Sequence, residues 1–385
     1  MKDLAHVEVA IIGAGPAGSA LAAALATHGR RVALLEKDVF PRDKLCGEFL
    51  SPEAAGCLAR LGCLDKFLAL QPPAMTRVRL TTPNQRSLIL SLPGPAYGLS
   101  RRELDVLLFE HARSCGARVF QGADVRAIES SPGGRKRVVV RRRGHDEDEL
   151  NLEADVVVAA YGRRSRLDRR LHREFFDKRS PYIAFKQHHR ACNERLTPPL
   201  RDVVELHSFD GGYCGVSYVE DDIVNVCTMI KESLLHSMTG THWEDVRALL
   251  ATRHTALARR LATLEPCQDR DMIAVAQIPL ALKDSTRNGL LFVGDAAGMI
   301  APLAGDGQAM ALESALTLAD LLHTHLPDIP HRQWKRHWRR HYEPRVRLGR
   351  HLQRAMIQPQ IARTAMHILT TWPSLGQTLI GLTRG

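Results

Sequence analysis

Three stretches of this chain predict an α/β fold. The β-branched run Val7–Ile12 leads into Gly13-Ala14-Gly15-Pro16-Ala17-Gly18 and then an Ala- and Leu-rich segment, the pattern of strand, tight turn and helix. Residues from about 172 to 275 alternate apolar and polar side chains, as antiparallel strands do. From His331 the chain is helical in pattern and strongly basic. Together these predict a Rossmann-type nucleotide domain with an inserted, mainly antiparallel β-sheet substrate domain and a helical C-terminal tail. The nucleotide domain is expected over 1–73, 98–170 and 276–325, the substrate domain over 74–97 and 171–275, and the tail over 326–385.

The elements follow in order. Pro16–His28 reads as the first helix, stopped by His28-Gly29, and Arg31–Leu35 as a strand closed by Glu36. Arg101–Cys115 is amphipathic, with Leu104, Leu107, Leu108 and His111 at helical spacing. Val119–Ile128 and Arg137–Arg143 read as strands around the turn Ser131-Pro132-Gly133-Gly134, and the charge blocks of Arg141–Glu149 as a solvated hairpin end. Ala154–Ala160 and Gly289–Gly294 are continuous apolar runs of the buried-strand type, and Gly307–His323 is a long helix.

A chain of 385 residues holds two or three domains at ~100–200 residues each. Hydrophobic residues at 44% and charged residues at 25% exclude a disordered or collagen-like chain. No uninterrupted apolar run approaches ~20 residues, which argues against a polytopic membrane protein. The formal charge of +11 predicts attraction to anions. No secretory signal is evident, so a cytoplasmic location is expected, with peripheral contact at the inner membrane surface left open. The eight cysteines show no CxxC pair, so free thiols are expected and no metal site.

The first fingerprint has a specific physical reading. Gly13 permits the tight turn, Gly15 lets the backbone approach a pyrophosphate, and Gly18 lets the helix pack close to the sheet. Pro16 and Ala17 open the helix whose free N–H groups face the diphosphate. Glu36, 18 residues after Gly18, accepts hydrogen bonds from ribose hydroxyls, and Lys37 beside it is a further cofactor-binding candidate.

A second fingerprint is Asn288-Gly289-Leu290-Leu291-Phe292-Val293-Gly294-Asp295-Ala296-Ala297-Gly298, followed by Pro302, Gly305, Asp306 and Gly307. With the first it resembles the FAD-binding pair of the flavoprotein aromatic hydroxylases, the p-hydroxybenzoate hydroxylase class. It is as similar to the geranylgeranyl reductase family, with flavin-dependent halogenases as cousins. The resemblance implies non-covalent FAD, Asp295 on its ribityl chain, and Pro302 and Gly305–Gly307 along the isoalloxazine edge. The helix from Gly307 would aim its dipole at negative charge on the reduced ring. Arg101, in Arg101-Arg102-Glu103-Leu104-Asp105, resembles a position that contacts FAD; a surface arginine is the alternative.

Pro41-Arg42-Asp43-Lys44-Leu45-Cys46-Gly47-Glu48 is similar to the PxxKxCG segment of the reductase family. That implies Lys44 or Arg42 near phosphate or ribose, Gly47 in close backbone approach, and Cys46 near the ring. Cys46 also reads as a small buried hydrophobe. Tyr161-Gly162-Arg163-Arg164-Ser165 stands where the hydroxylases carry D-G-x-x-S. Tyr161 replaces the acid, which weakens the case for direct pyridine-nucleotide handling but leaves Gly162 as an FAD contact. No K-x-G follows Gly47-Glu48-Phe49, and Gly211–Tyr218 lacks the halogenase box and the reductases' tryptophan and proline. Halogenation is therefore disfavoured, and the substrate is expected to differ in shape from the reductases' isoprenoids. His188, His189, Tyr213 and Tyr218 are candidates to take a proton from a phenol or simply to line the sheet. The catalytic candidates retained are Cys46, His188 and Tyr213.

In the tail, Trp334, Trp338 and Tyr342 recur every four residues on a helix with Arg336, Arg339 and Arg340. One reading packs this stripe on the nucleotide domain, and the other docks it to anionic lipid. No nucleic-acid motif accompanies the charge. The resemblance implies an FAD-dependent monooxygenase, with NAD(P)H as electron donor and oxygen passing through a flavin C4a-hydroperoxide to a lipophilic phenolic or polyketide-type substrate. The alternatives are a reductase of a prenyl or other alkene, and a non-catalytic carrier of the Rab-escort type.

Overall fold

A computed structural model of the chain describes residues 4–84, 86–142, 149–192, 201–326 and 330–382, arranged as two sheets and a helical tail. In the first sheet, parallel strands run in the order Leu290–Phe292, Glu149–Ala159, Leu4–Ile12, Val32–Leu35 and Arg118–Phe120. Val9 pairs with Val32 on one side and Val156 on the other, and Val9, Ala10 and Ile11 are wholly buried. Helix Pro16–Thr27 packs against helices Arg101–Ser114 and Gly307–His325, which explains its near-continuous burial. Ser100 caps helix Arg101–Ser114 by accepting the Glu103 N–H.

The expected strand Val119–Ile128 is two strands. The chain breaks at Gly122, whose φ of +64° suits glycine. Arg118–Phe120 takes the parallel edge, and Ala123–Ser130 turns away to pair with Lys136–Arg142. Most of the charged hairpin end, 143–148, lies outside the described residues.

The second sheet runs Leu264–Pro266, Tyr182–Ala191, Val224–Lys231, Gly212–Tyr218, Val203–Phe209, Ala74–Thr81, Ser87–Gly98, Phe49–Leu50, and Ile273–Ala276 also pairs with Tyr182–Ala191. Its pairs are antiparallel except Val203–Phe209 with Ala74–Thr81, where the chain returns to the earlier hairpin. Phe49–Leu50 places the loop after Glu36 directly against this sheet.

The tail forms helices His331–His341, Glu343–Met356, Pro359–Thr371 and Pro373–Leu382. The aromatic stripe faces inward: Trp334, Trp338 and Tyr342 are at most 2% exposed. Trp334 Nε1 donates to the Phe292 carbonyl at 2.9 Å. Trp338 lies over Gly298, where a Cβ would come within 2.9 Å of its ring, and Gly349 lets the next helix close on Ile300 and Ala301. The stripe therefore closes the nucleotide domain, while Arg336, Arg339 and Arg340 face solvent.

Truncating such a buried ring removes transfer energy and leaves a cavity. Trp334→Ala should cost about 3–5 kcal/mol and lower the melting temperature, whereas Arg336→Ala should stay within about 0.5 kcal/mol, both read by thermal unfolding.

Candidate functional site

The first turn has the geometry its sequence predicts. Gly13, at φ +102°, presses against the backbone of Ala160 and Tyr161, where a Cβ would meet atoms 2.6 Å away. A Cβ on Gly18 would lie 1.8 Å from the Gly13 carbonyl oxygen, so Gly18 packs helix on turn and faces no ligand. Gly15 caps the helix on the open side, with only Arg101 Nη2 near its missing Cβ, at 3.5 Å. Glu36 Oε2 accepts the Ala14 N–H at 2.8 Å, and Oε1 accepts the Asp38 N–H at 3.0 Å. A carboxylate has about four acceptor sites, so capacity remains for a ribose.

Arg101 is held over that turn by Asp105. Its Nε and Nη2 donate to Oδ1 and Oδ2, both at 2.8 Å, and Asp105 Oδ2 also accepts Arg42 Nη1 at 2.8 Å. Sequence reasoning missed Asp105, although its i,i+4 spacing to Arg101 was readable. Across the cleft, Lys283 Nζ donates to the carbonyls of Arg163 at 2.6 Å and Asp295 at 2.7 Å, stapling two site segments together. Burial pushes the Lys283 amine down to about 7. Burial raises the Asp295 carboxyl above its ordinary value, although Lys283, Arg101 and Arg163 pull it back. Tyr161 turns its hydroxyl to Asp168 Oδ1 at 2.6 Å, so the acid absent from position 161 sits one layer behind.

The turn Cys46-Gly47-Glu48 faces the start of helix Gly307–His325. Cys46 Sγ accepts Gln308 Nε2 and the Glu48 N–H, each at 3.3 Å, and burial raises its thiol pKa. Glu48 has left-handed backbone at φ +54° and a fully buried side chain. Its Oε1 accepts Lys186 Nζ and, at 2.9 Å, the Arg101 N–H; its Oε2 meets His188 Nε2 at 2.6 Å. Burial alone would raise the Glu48 carboxyl, but Lys186 and His188 outweigh it and hold the group at about 2. His188 is thereby engaged away from any substrate, with Arg270 Nη1 3.3 Å from its Nδ1.

One cavity of about 1160 Å³ collects these groups. Gly13, Gly15, Pro16, Ala17, Glu36, Lys37, Lys44, Cys46, Gly47, Arg101, Gly162, Asp295, Pro302, Gly305 and Gly307 all line it; Gly18 does not. Of the catalytic candidates, Cys46 and Tyr213 line it and His188 does not. His189 is turned instead against Trp243, with ring centroids 4.9 Å apart. Beyond Tyr213 and Ser217 the wall is apolar: Val78, Leu80, Leu90, Val204, Leu206, and from the tail Leu352, Met356 and Leu369. This tail contribution carries no local signal, because it arises from helices packing on a sheet some 300 residues earlier in the chain.

The residues present fit FAD. A Cβ on Gly47 or Gly162 would meet nothing within 4 Å, so both backbones border open cradle space. Arginines line the cleft beside the helix N-terminus, a donor set suited to a diphosphate. Gln308 Oε1 is buried without a partner at the ring end.

A family model described as FAD binding domain matches residues 6–329. A menaquinone reductase of Mycobacterium tuberculosis is 29% identical over 337 residues, covering 82% of this chain and 76% of that protein. A digeranylgeranylglycerophospholipid reductase of Methanosphaera stadtmanae is 26% identical over 81% of this chain and 76% of its own length. Among solved structures, a flavin-dependent brominase superposes with a TM-score of 0.80 at 19% identity, covering 98% of this chain and 93% of its own. A geranylgeranyl bacteriochlorophyll reductase-like protein of Thermoplasma acidophilum superposes at 0.72 with 20% identity, covering 98% and 99%. These likenesses show the fold.

Two outcomes follow from this geometry. Gly15→Val should fold yet purify without flavin, because the added side chain enters only the cradle; absorbance of the purified protein reads it. Glu48, whose carboxyl ordinarily titrates near 4.5, should stabilise the fold fully above that pH and lose the contribution as pH falls from 4.5 through about 2. The loss is on the order of 3 kcal/mol, and Glu48→Gln should flatten that slope in acid-unfolding curves.

Proposed function

We propose that this chain, which belongs to the FAD binding domain family and is an FAD-dependent oxidoreductase, reduces an alkene in a lipophilic substrate. The observation that carries this reading is the half-buried Cys46 thiol, which lines the cavity with its sulfur fixed by Gln308 and the Glu48 N–H and its pKa raised by desolvation. Bound and reduced, FAD would supply an electron pair and one hydrogen. The chain's part is to deliver the second hydrogen as a proton, to orient the alkene and to exclude water.

Cys46 is fitted to the first task. Gln308 and the Glu48 N–H fix its sulfur, and its raised pKa keeps the proton on until a carbon can take it. Tyr213, whose phenol burial holds well above its ordinary pKa, is a second neutral acid on the chamber wall. Val78, Leu80, Leu90, Val204 and Leu206 provide the apolar bed. Arg163, Arg164, Arg166 and Arg170 line the cleft and would serve NAD(P)H as electron donor through its phosphates.

Tyr213 and Ser217, polar groups on an otherwise apolar wall, support a second reading. There they orient a phenolic or polyketide-type ring for oxygen insertion, with molecular oxygen as co-substrate.

Anaerobic mixing of the reduced holoprotein with menaquinone in detergent separates the two. The reductase reading predicts flavin reoxidation and a product that keeps two added hydrogens on carbon after its quinol is reoxidised in air, with carbon-bound deuterium when the buffer is deuterated. Cys46→Ala should keep FAD content and reduction by NAD(P)H, and slow that reoxidation by about 10²–10⁴-fold. A product gaining an oxygen atom only when air is admitted would favour the second reading.

A further inference from the structure

The last two helices have two different sides. Inward, Ala362, Met366 and Gly376 are buried, and Leu369 and Gly376 form part of the cavity wall. Outward, Ile361 and Ile368 lie seven apart on helix Pro359–Thr371, and Leu375 and Leu382 lie seven apart on helix Pro373–Leu382. Seven residues are nearly two turns, so each helix turns one apolar line to solvent. Trp372 stands at their joint, 58% exposed, while Trp243, Trp334 and Trp338 are all buried. Ile89, on the strand that the last helix packs against, adds another exposed apolar side chain.

The last part of the tail carries charge of one sign: after Glu343 the sequence holds six arginines and no acid. Arg345 is spent on Asp306 and Glu313 and Arg347 on Glu343, while Arg354, at the end of the preceding helix, and Arg363, on helix Pro359–Thr371, are exposed. A second copy of the chain would bring cations against cations, which disfavours self-association here. Neither helix is long and apolar enough to cross a membrane. An apolar line beside cations, with a tryptophan at its centre, suits the boundary between headgroups and acyl chains of an anionic bilayer.

We infer that helices Pro359–Thr371 and Pro373–Leu382 are a lipid-docking surface that seats the protein on an anionic bilayer and loads the cavity from it. The docking part stands alone; the loading part rests on the lipophilic-substrate reading above. The surface is narrower than the tail from His331 that the sequence suggested, because Trp334, Trp338 and Tyr342 are spent on packing.

The test uses the full-length holoprotein and vesicles of phosphatidylglycerol and phosphatidylcholine, or of phosphatidylcholine alone. Wild type should float with the anionic vesicles at low salt and be released at high salt. Brominated acyl chains should quench its tryptophan emission, and Trp372→Phe should abolish most of that quenching. Ile368→Glu with Leu375→Glu should abolish flotation, and Arg354→Glu with Arg363→Glu should weaken it by at least about fivefold. FAD content and melting temperature should match wild type in every variant. Absence of flotation by wild type, or equal flotation of the Ile368→Glu, Leu375→Glu variant, would overturn the inference. So would wild-type dimers in sedimentation that this variant dissolves, which would assign the face to a second copy. Reoxidation with substrate in detergent is read separately, so loss of docking and failure of the reductase reading give different results.

Discussion

Glu48 is the point at which the two sheets are locked together. Its carboxylate is wholly buried and is met by Lys186 and His188 from strand Tyr182–Ala191 and by the N–H that opens helix Arg101–Ser114. Its own backbone turns the chain between the flavin cradle and strand Phe49–Leu50. A carboxylate in this position is tolerable only because both oxygens are paired; removing one partner would leave a buried charge, at about 3–5 kcal/mol. That pairing fixes the Cys46-Gly47 turn against Gln308 and sets the spacing between nucleotide domain and second sheet. The cavity exists in its present shape because those two surfaces cannot slide.

The cavity then divides by charge. At the cradle end, Arg101 stands beside the N-terminus of helix Pro16–Thr27, and Arg163 and Lys37 also line the cavity, a donor set suited to phosphate. At the far end, side chains from the sheet and from the tail are almost all aliphatic. Where the two meet stand a thiol and a phenol whose pKa values burial pushes further up. Proton donation beside an apolar compartment asks for such groups, since an ionised one would draw water into the chamber. The tail matters because its first helices close the nucleotide domain and its later helices roof the apolar end.

How much of this was legible in the sequence follows from how local each signal is. Gly13, Gly15 and Glu36 sit in one strand–turn–helix–strand unit, so their grouping at the cavity could be read from spacing alone. Asp295 and Gly307 were singled out by the resemblance to FAD-binding families, and both line the same cavity. The four-residue recurrence of Trp334, Trp338 and Tyr342 showed a stripe, but not which surface it meets, because periodicity carries no information about the partner. The Lys186–Glu48–His188 cluster was not legible: its members are about 140 residues apart and meet only through sheet register. For that reason His188 read as a candidate proton acceptor or a sheet-lining side chain, with no sign of its hydrogen bond to Glu48. The expected strand Val119–Ile128 failed at Gly122, where a left-handed residue splits one apolar run between two sheet positions.

The most direct test of the account is a crystal structure of the FAD-loaded protein with a long-chain alkene bound. The account predicts the isoalloxazine ring in the cavity beside the Cys46-Gly47 turn and the start of helix Gly307–His325, with the alkene within reach of Cys46 Sγ and its chain along Val78, Leu90 and Leu369. An alkene chain bound outside that chamber, or a flavin ring away from the Cys46-Gly47 turn, would contradict it.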